Sequence, residues 1–257
     1  MKYKLTKNKK TIGDVTLYQI EALKDFSHIK KGDLGGWIEK ESNLSHHGDC
    51  WVGGDAKVFG DARVFGSAKV FGNARVYGDA RVYDDAKVFG NARVFGNARV
   101  YGTAKVYDDA VVYGDARVYG TAKVSVFAVV SGSARVFGFA KVFDQAKVSG
   151  DASVYDDAVV CGSALVFGNA KVYGDTEVSG GARVYGNARV FDNAEVFGSA
   201  SVYGFARVFG FAKVFDNAKV YDNARVYDNA RVSADVRVFG NARVFDNAKV
   251  YGDMIIK

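Results

Sequence analysis

Proline is absent from all 257 residues, and cysteine, methionine and tryptophan occur only twice each. Without proline, no segment lacks a backbone donor, which suits a structure whose strands pair on both sides. Two cysteines, Cys50 and Cys161, make no disulfide framework, so a reducing cytoplasm is the expected compartment. No apolar run approaches the ~20 residues that cross a bilayer, and no secretory apolar segment follows Met1. Neither export nor a membrane partner is expected. Histidine is limited to His28, His46 and His47. His46 and His47 are adjacent, and neighbours in a strand face opposite ways, so no metal site is expected. The N-terminal stretch gathers lysines at Lys2, Lys4, Lys7, Lys9 and Lys10. Lys and Arg total 35 against 29 Asp and Glu, a net +6 that does not by itself indicate nucleic acid.

What is present is a short period. Residues 54–251 are thirty-three consecutive hexads without insertion or deletion, reading G-[DN]-A-[KR]-V-[FY]. Position 5 is valine in every copy, from Val58 to Val250, and position 3 is alanine except at Thr176 and Val236. Ala-Arg-Val-Phe therefore alternates inward small, outward polar, inward aliphatic and outward aromatic, the period of a strand with one buried face. Positions 1 and 2 are mostly Gly, Asp, Asn or Ser, which tolerate left-handed angles and make a corner. A fixed period of this kind marks a solenoid. A disordered polar tract is excluded, because an invariant β-branched residue alternates with aromatics.

Six residues do not close a coil, and position 4 tells how many units do. Every third unit from Arg63 reads Arg63, Arg81, Arg99, Arg117, Arg135, with Arg189, Arg207, Arg225 and Arg243 further on. The next series runs Lys69, Lys87, Lys105, Lys123, Lys141, and the third mixes the two. This eighteen-residue beat predicts three walls, with residues eighteen apart stacked on one wall. The expected fold is an all-β, three-sided parallel β-helix of 18 residues per coil and about 11–12 coils. Residues 1–35 form an N-terminal cap and residues 36–257 the helix. Within the cap, Tyr3–Leu5 and Thr16–Ile20 read as strands and Glu21–Phe26 as a helical turn. Continuing the hexads backwards puts Ile38, Leu44 and Cys50 at position 3, and Lys40 and His46 at the valine position. Towards the other end, Met254 and Ile256 keep the inward register with no capping element.

An aliphatic residue with a small residue four positions on, as in Val58 with Ala62 and Val64 with Ala68, resembles the left-handed parallel β-helix, or hexapeptide-repeat, family. The resemblance covers about four fifths of the chain and implies the left-handed coil. The aromatic after the aliphatic, as at Phe59, departs from the family pattern. Leu17–Val52 resembles a bacterial and phage branch whose members are labelled acyltransferases by fold analogy. The family's enzymes use a histidine base and a loop that leaves the coil to build an acyl-donor cleft. No loop interrupts residues 54–251, and the histidines all lie before them. No catalytic residue and no cofactor is therefore assigned.

Two surfaces stand out. Arg81, Tyr83, Arg99, Tyr101, Arg117, Tyr119 and Arg135 form a basic, aromatic strip suited to a partner protein, or to a polyanion or single-stranded nucleic acid. On the other two walls the consensus lapses at Val111, Phe127, Val129, Ser131, Val159, Cys161 and Leu165. Apolar side chains beside missing rings make an apolar edge for another subunit or a protein partner. The function expected is a non-enzymatic scaffold that presents these surfaces to a partner or to itself, in a phage–host setting by the resemblance. The alternatives are an acyltransferase relative and polyanion binding through the arginines.

Overall fold

The computed structural model describes every residue, Met1–Lys257, and falls into two compact units, Met1–Val126 and Phe127–Lys257. Apart from one short 3-10 turn the chain is all β, a parallel β-solenoid of roughly 18 residues per coil. Each hexad gives a strand of only two residues, its positions 4 and 5, so all cohesion comes from pairing with coils above and below.

In the N-terminal unit the three walls are those the eighteen-residue beat predicts. Arg63, Arg81, Arg99 and Arg117 pair in register on one wall. Lys69, Lys87, Lys105 and Lys123 pair on the second. Lys57, Arg75, Arg93 and Val111 pair on the third. The valines and alanines of these hexads are fully buried or nearly so, each valine contributing roughly 1.5–3 kcal/mol of gross burial. The C-terminal unit repeats the scheme, with Arg135, Ser153, Lys171 and Arg189 on its arginine wall. Its lysine wall is interrupted by Glu177 and Glu195, and the latter accepts both its bonds from Lys213 one coil on, at 2.7 and 2.8 Å.

The corner has a strict conformation. Position 1 of every hexad has a positive φ, whether it is Gly102 (67°), Asp84 (55°), Ala234 (59°) or the β-branched Val126 (60°). At Gly102 a Cβ would also stand 3.0 Å from the backbone nitrogen of Gly120. Aspartate is the repeat's second solution. Asp84 Oδ2 accepts the Gly102 N–H (3.1 Å), and Asp144, Asp192, Asp216, Asp222 and Asp228 do the same for position 1 of the next coil. A short polar side chain that bonds locally offsets the left-handed cost.

The cap differs from expectation in two ways. Its strands are longer, β1 (Tyr3–Ile12) and β2 (Val15–Ala22) forming an antiparallel hairpin, and β3 (Leu34–Ile38) joins β2 to the first regular coil. Glu21–Phe26 is not a helical turn. Glu21 and Ala22 belong to β2, and Phe26 bridges Ile29.

The first coil also has another register. Trp37 pairs with Lys57, Ile38 with Val58 and Leu44 with Val64, an offset of 20 residues, whereas Trp51 in β4 (Trp51–Val52) pairs with Lys69 at 18. His46 and His47 fall in the stretch that takes up the two extra residues. Ile38 and Leu44 thus occupy the valine position, in place of Lys40 and His46. The physical reason is the cost of an ammonium group in an apolar core. Lys40 instead reaches out to Asp61 at 2.8 Å.

The hairpin is tied down by buried polar groups. Tyr3 donates its hydroxyl to the Leu44 carbonyl (2.8 Å), and burial pushes its pKa far up. Lys2 is itself buried, donating to the Cys50 carbonyl at 2.7 Å and to Cys50 Sγ at 3.1 Å. His46 stacks on Tyr3 with ring centroids 4.3 Å apart, its Nδ1 accepting the Lys2 N–H and its Nε2 buried without a partner.

Candidate functional site

The arginine wall of the N-terminal unit carries most of the strip expected from sequence. Position 4 points outward because position 5 points inward, so Arg63, Arg81, Arg99 and Arg117 are exposed while their neighbouring valines are not. Directly opposed like charges are unfavourable. Yet none of the four guanidinium groups lies within ion-pair distance of a carboxylate or forms a hydrogen bond. Beside them runs a ladder of half-buried rings. Phe65, Tyr83, Tyr101 and Tyr119 stack face to face at 4.8–4.9 Å and within 3° of parallel. Burial holds the Tyr83 hydroxyl above the usual phenol pKa. The rings line the wall's flank, and the guanidinium groups stay exposed.

The groove beside these arginines encloses about 470 Å³ and is lined by Asp79, Arg81, Asn97, Arg99, Asp115 and Arg117. Its corner side is acidic or amide, with Asn97 donating to Asp115 Oδ1 at 3.1 Å. The surface therefore alternates in sign across its width, a feature that counting arginines misses. Arg135 lies in the C-terminal unit, paired with Ser153.

The residues of the proposed apolar edge are distributed differently. Val111 belongs to the N-terminal unit and pairs with Arg93. The remainder lie in the C-terminal unit, where Phe127 occupies a corner and is 59% exposed. Val129 and Leu165 share a wall but are separated by Lys147, which pairs with both. Val159 sits between Lys141 and Glu177, with Cys161 half-buried just after the same strand. Ser131 is buried, just after the strand Val129–Val130 that Phe127 precedes. The register thus alternates Val129, Leu165 and Val159 with charges. Sequence reasoning passed over Phe205 and Phe211, both about 60% exposed at corners either side of Arg207. The signal was available, as phenylalanine there replaces the usual Asp or Asn of position 2.

It also passed over a recess on the lysine wall. About 500 Å³ in volume, it lies between the loop that includes His28, Ile29 and Asp33 and the first coils, with Trp51, Lys69, Phe71 and Lys87 facing it. His28 Nδ1 stands 3.2 Å from Lys69 Nζ. No group of three or more His, Cys, Asp or Glu is placed to hold a metal ion, and no helix is long and apolar enough to cross a membrane.

Comparison with known proteins gives the same architecture. The family described as YdcK beta solenoid repeat matches residues 68–84, 74–90, 86–102, 182–198, 218–234 and 224–238. A segment of 39 residues, 15% of this chain, is 44% identical to a protein of Escherichia coli (strain K12) named "Uncharacterized acetyltransferase YdcK", of which it covers 12%. Hexads with an invariant valine, coils of eighteen residues closed by three walls, and repeats that match the YdcK solenoid over parts of the chain make it similar to hexapeptide-repeat β-helix proteins.

Proposed function

We propose that the chain is a binding scaffold, and that the arginine wall of its N-terminal unit receives a protein partner carrying spaced carboxylates. The observation that carries this reading is the in-register column Arg63, Arg81, Arg99 and Arg117, exposed and without an ion pair. Such a column is a standing electrostatic cost that an acidic partner removes. A protein fits better than a uniform polyanion, because Asp79 and Asp115 border the same groove and would repel an unbroken row of phosphates. The rigid ring ladder adds a preorganised flank at little entropic cost.

The test is affinity capture from extract with three baits: the parent protein, Arg81→Ala/Arg99→Ala/Arg117→Ala, and Lys105→Ala/Lys123→Ala as a control on another wall. The partner should be lost only with the arginine variant, and its affinity should fall as salt rises. Partners common to all three baits contradict the reading. Salt-dependent oligonucleotide binding that depends on the same arginines would favour the polyanion alternative. The name of the E. coli relative raises acyl transfer as a second reading. A thermal shift produced by acetyl-CoA would support it.

A further inference from the structure

The ring ladder of the lysine wall starts at Phe71. Phe71 stacks on Phe89 at 4.9 Å and 1°, and Phe89 on Tyr107 at 4.9 Å and 4°. The preceding coil is in perfect register, with Trp51 opposite Lys69 and Val52 opposite Val70. Its position 6, where the repeat puts an aromatic, is Gly53, whose N–H donates to the Val70 carbonyl at 2.8 Å. No ring therefore covers the outer face of Phe71, which is 39% exposed, whereas the first rings of the other two ladders, Phe59 and Phe65, are half-buried.

The space over that face is the recess of about 500 Å³, within the range of small-molecule sites. Its walls are apolar and fixed. Trp51 is buried and held edge-on by Phe26 at 5.5 Å, and Ile29 closes the cap side. Its polar side chains are Lys69, Lys87, His28 and Asp33, with His28 Nδ1 3.2 Å from Lys69 Nζ. Lys69 and Lys87 stack in register, and neither has a carboxylate within ion-pair distance. The single acid of the lining, Asp33, already accepts the Lys30 N–H at 2.7 Å. We propose that this recess binds a small planar aromatic anion, its ring stacked on Phe71 in the place of the ring that Gly53 omits and its acidic group held by Lys69 and Lys87. This site is independent of the arginine wall.

The probe is 2-naphthoate, titrated by calorimetry, with uncharged 2-naphthamide as the comparison. The parent protein should saturate below about 10 mM and bind the amide at least tenfold more weakly. Gly53→Phe supplies the missing ring. Residue 53 has no left-handed φ, and a Cβ there meets Trp51 and Phe71 only at ordinary distances of 3.5–3.9 Å. This variant should keep or raise the thermal midpoint and lose at least tenfold in naphthoate affinity. Lys69→Ala/Lys87→Ala, which leaves the core untouched, should lose a similar factor for naphthoate and little for the amide. Arg81→Ala/Arg99→Ala/Arg117→Ala should bind the probe unchanged. Absence of saturable binding to the parent, or naphthoate binding that survives either the Gly53→Phe or the double-lysine change, overturns the proposal.

Discussion

Asp84 tests the corner rule on which every coil depends. It sits at position 1 with φ 55°, and its carboxylate accepts the Gly102 N–H at 3.1 Å on an exposed edge. Replacement by alanine removes the bond, worth about 0.5–1.5 kcal/mol, and keeps a Cβ in the left-handed region, whose cost of about 1–2 kcal/mol aspartate already carries. Replacement by glycine loses the same bond and adds about 0.5–1 kcal/mol of chain entropy, but lifts the steric cost altogether. Asp84→Ala should therefore be destabilised by about 0.5–1.5 kcal/mol, and Asp84→Gly should be the more stable of the two by up to about 1.5 kcal/mol. Asp84→Asn, which keeps both the tolerance and an acceptor, should lie nearest the parent. Urea unfolding with unchanged m-values gives the ordering directly. An alanine variant as stable as the glycine variant would mean that the left-handed corner and the aspartate ladder do not govern stability.

Three further outcomes are expected. Burial raises the pKa of Tyr83, Tyr155, Tyr173 and Tyr203, so the folded state keeps protons the unfolded chain loses. Stability should be constant below the ordinary phenol range and fall as pH climbs through it, and Tyr83→Phe should reduce that alkaline loss in a pH series of melting curves. Burial lowers the pKa of His46, so the unfolded chain binds the proton first. Stability should decline as pH falls below about 6.5, and His46→Gln should flatten that limb of the same series. Thr176 is the one polar residue at position 3, its hydroxyl donating to the Tyr173 carbonyl at 2.7 Å. Thr176→Ala restores the repeat and should stay within about 0.5 kcal/mol of the parent by denaturant midpoint.

The walls, the valine core and the outward arginines were legible because position 5 never varies and position 4 beats at eighteen residues. The sequence could not show that the aspartates of position 1 bond to the next coil, since that partner is set only by stacking. The first coil misled for a physical reason. Ile38, Leu44 and Cys50 are apolar at six-residue intervals, so a continuous register looks sound. The pairings of Ile38 with Val58 and Leu44 with Val64 expose the two extra residues. The apolar edge was drawn from residues that stacking then interleaves with Lys147, Lys141 and Glu177. Gly53 was readable in principle, as a glycine one coil before Phe71, but its meaning depends on the cap loop that walls the recess.

Both the arginine wall and the recess over Phe71 require that residues eighteen apart be lateral neighbours. The direct measurement is oxidation of paired cysteines in a background with Cys50 and Cys161 changed to serine. Arg81→Cys/Arg99→Cys places the pair on adjacent strands of one wall, at a spacing of about 4.8 Å that a disulfide can span. It should crosslink within the monomer, detected as a loss of two mass units and of free thiol. Arg81→Cys/Lys87→Cys, six residues apart and on different walls, should stay reduced under the same conditions. The reverse pattern, or crosslinking of both, would contradict the three-walled coil.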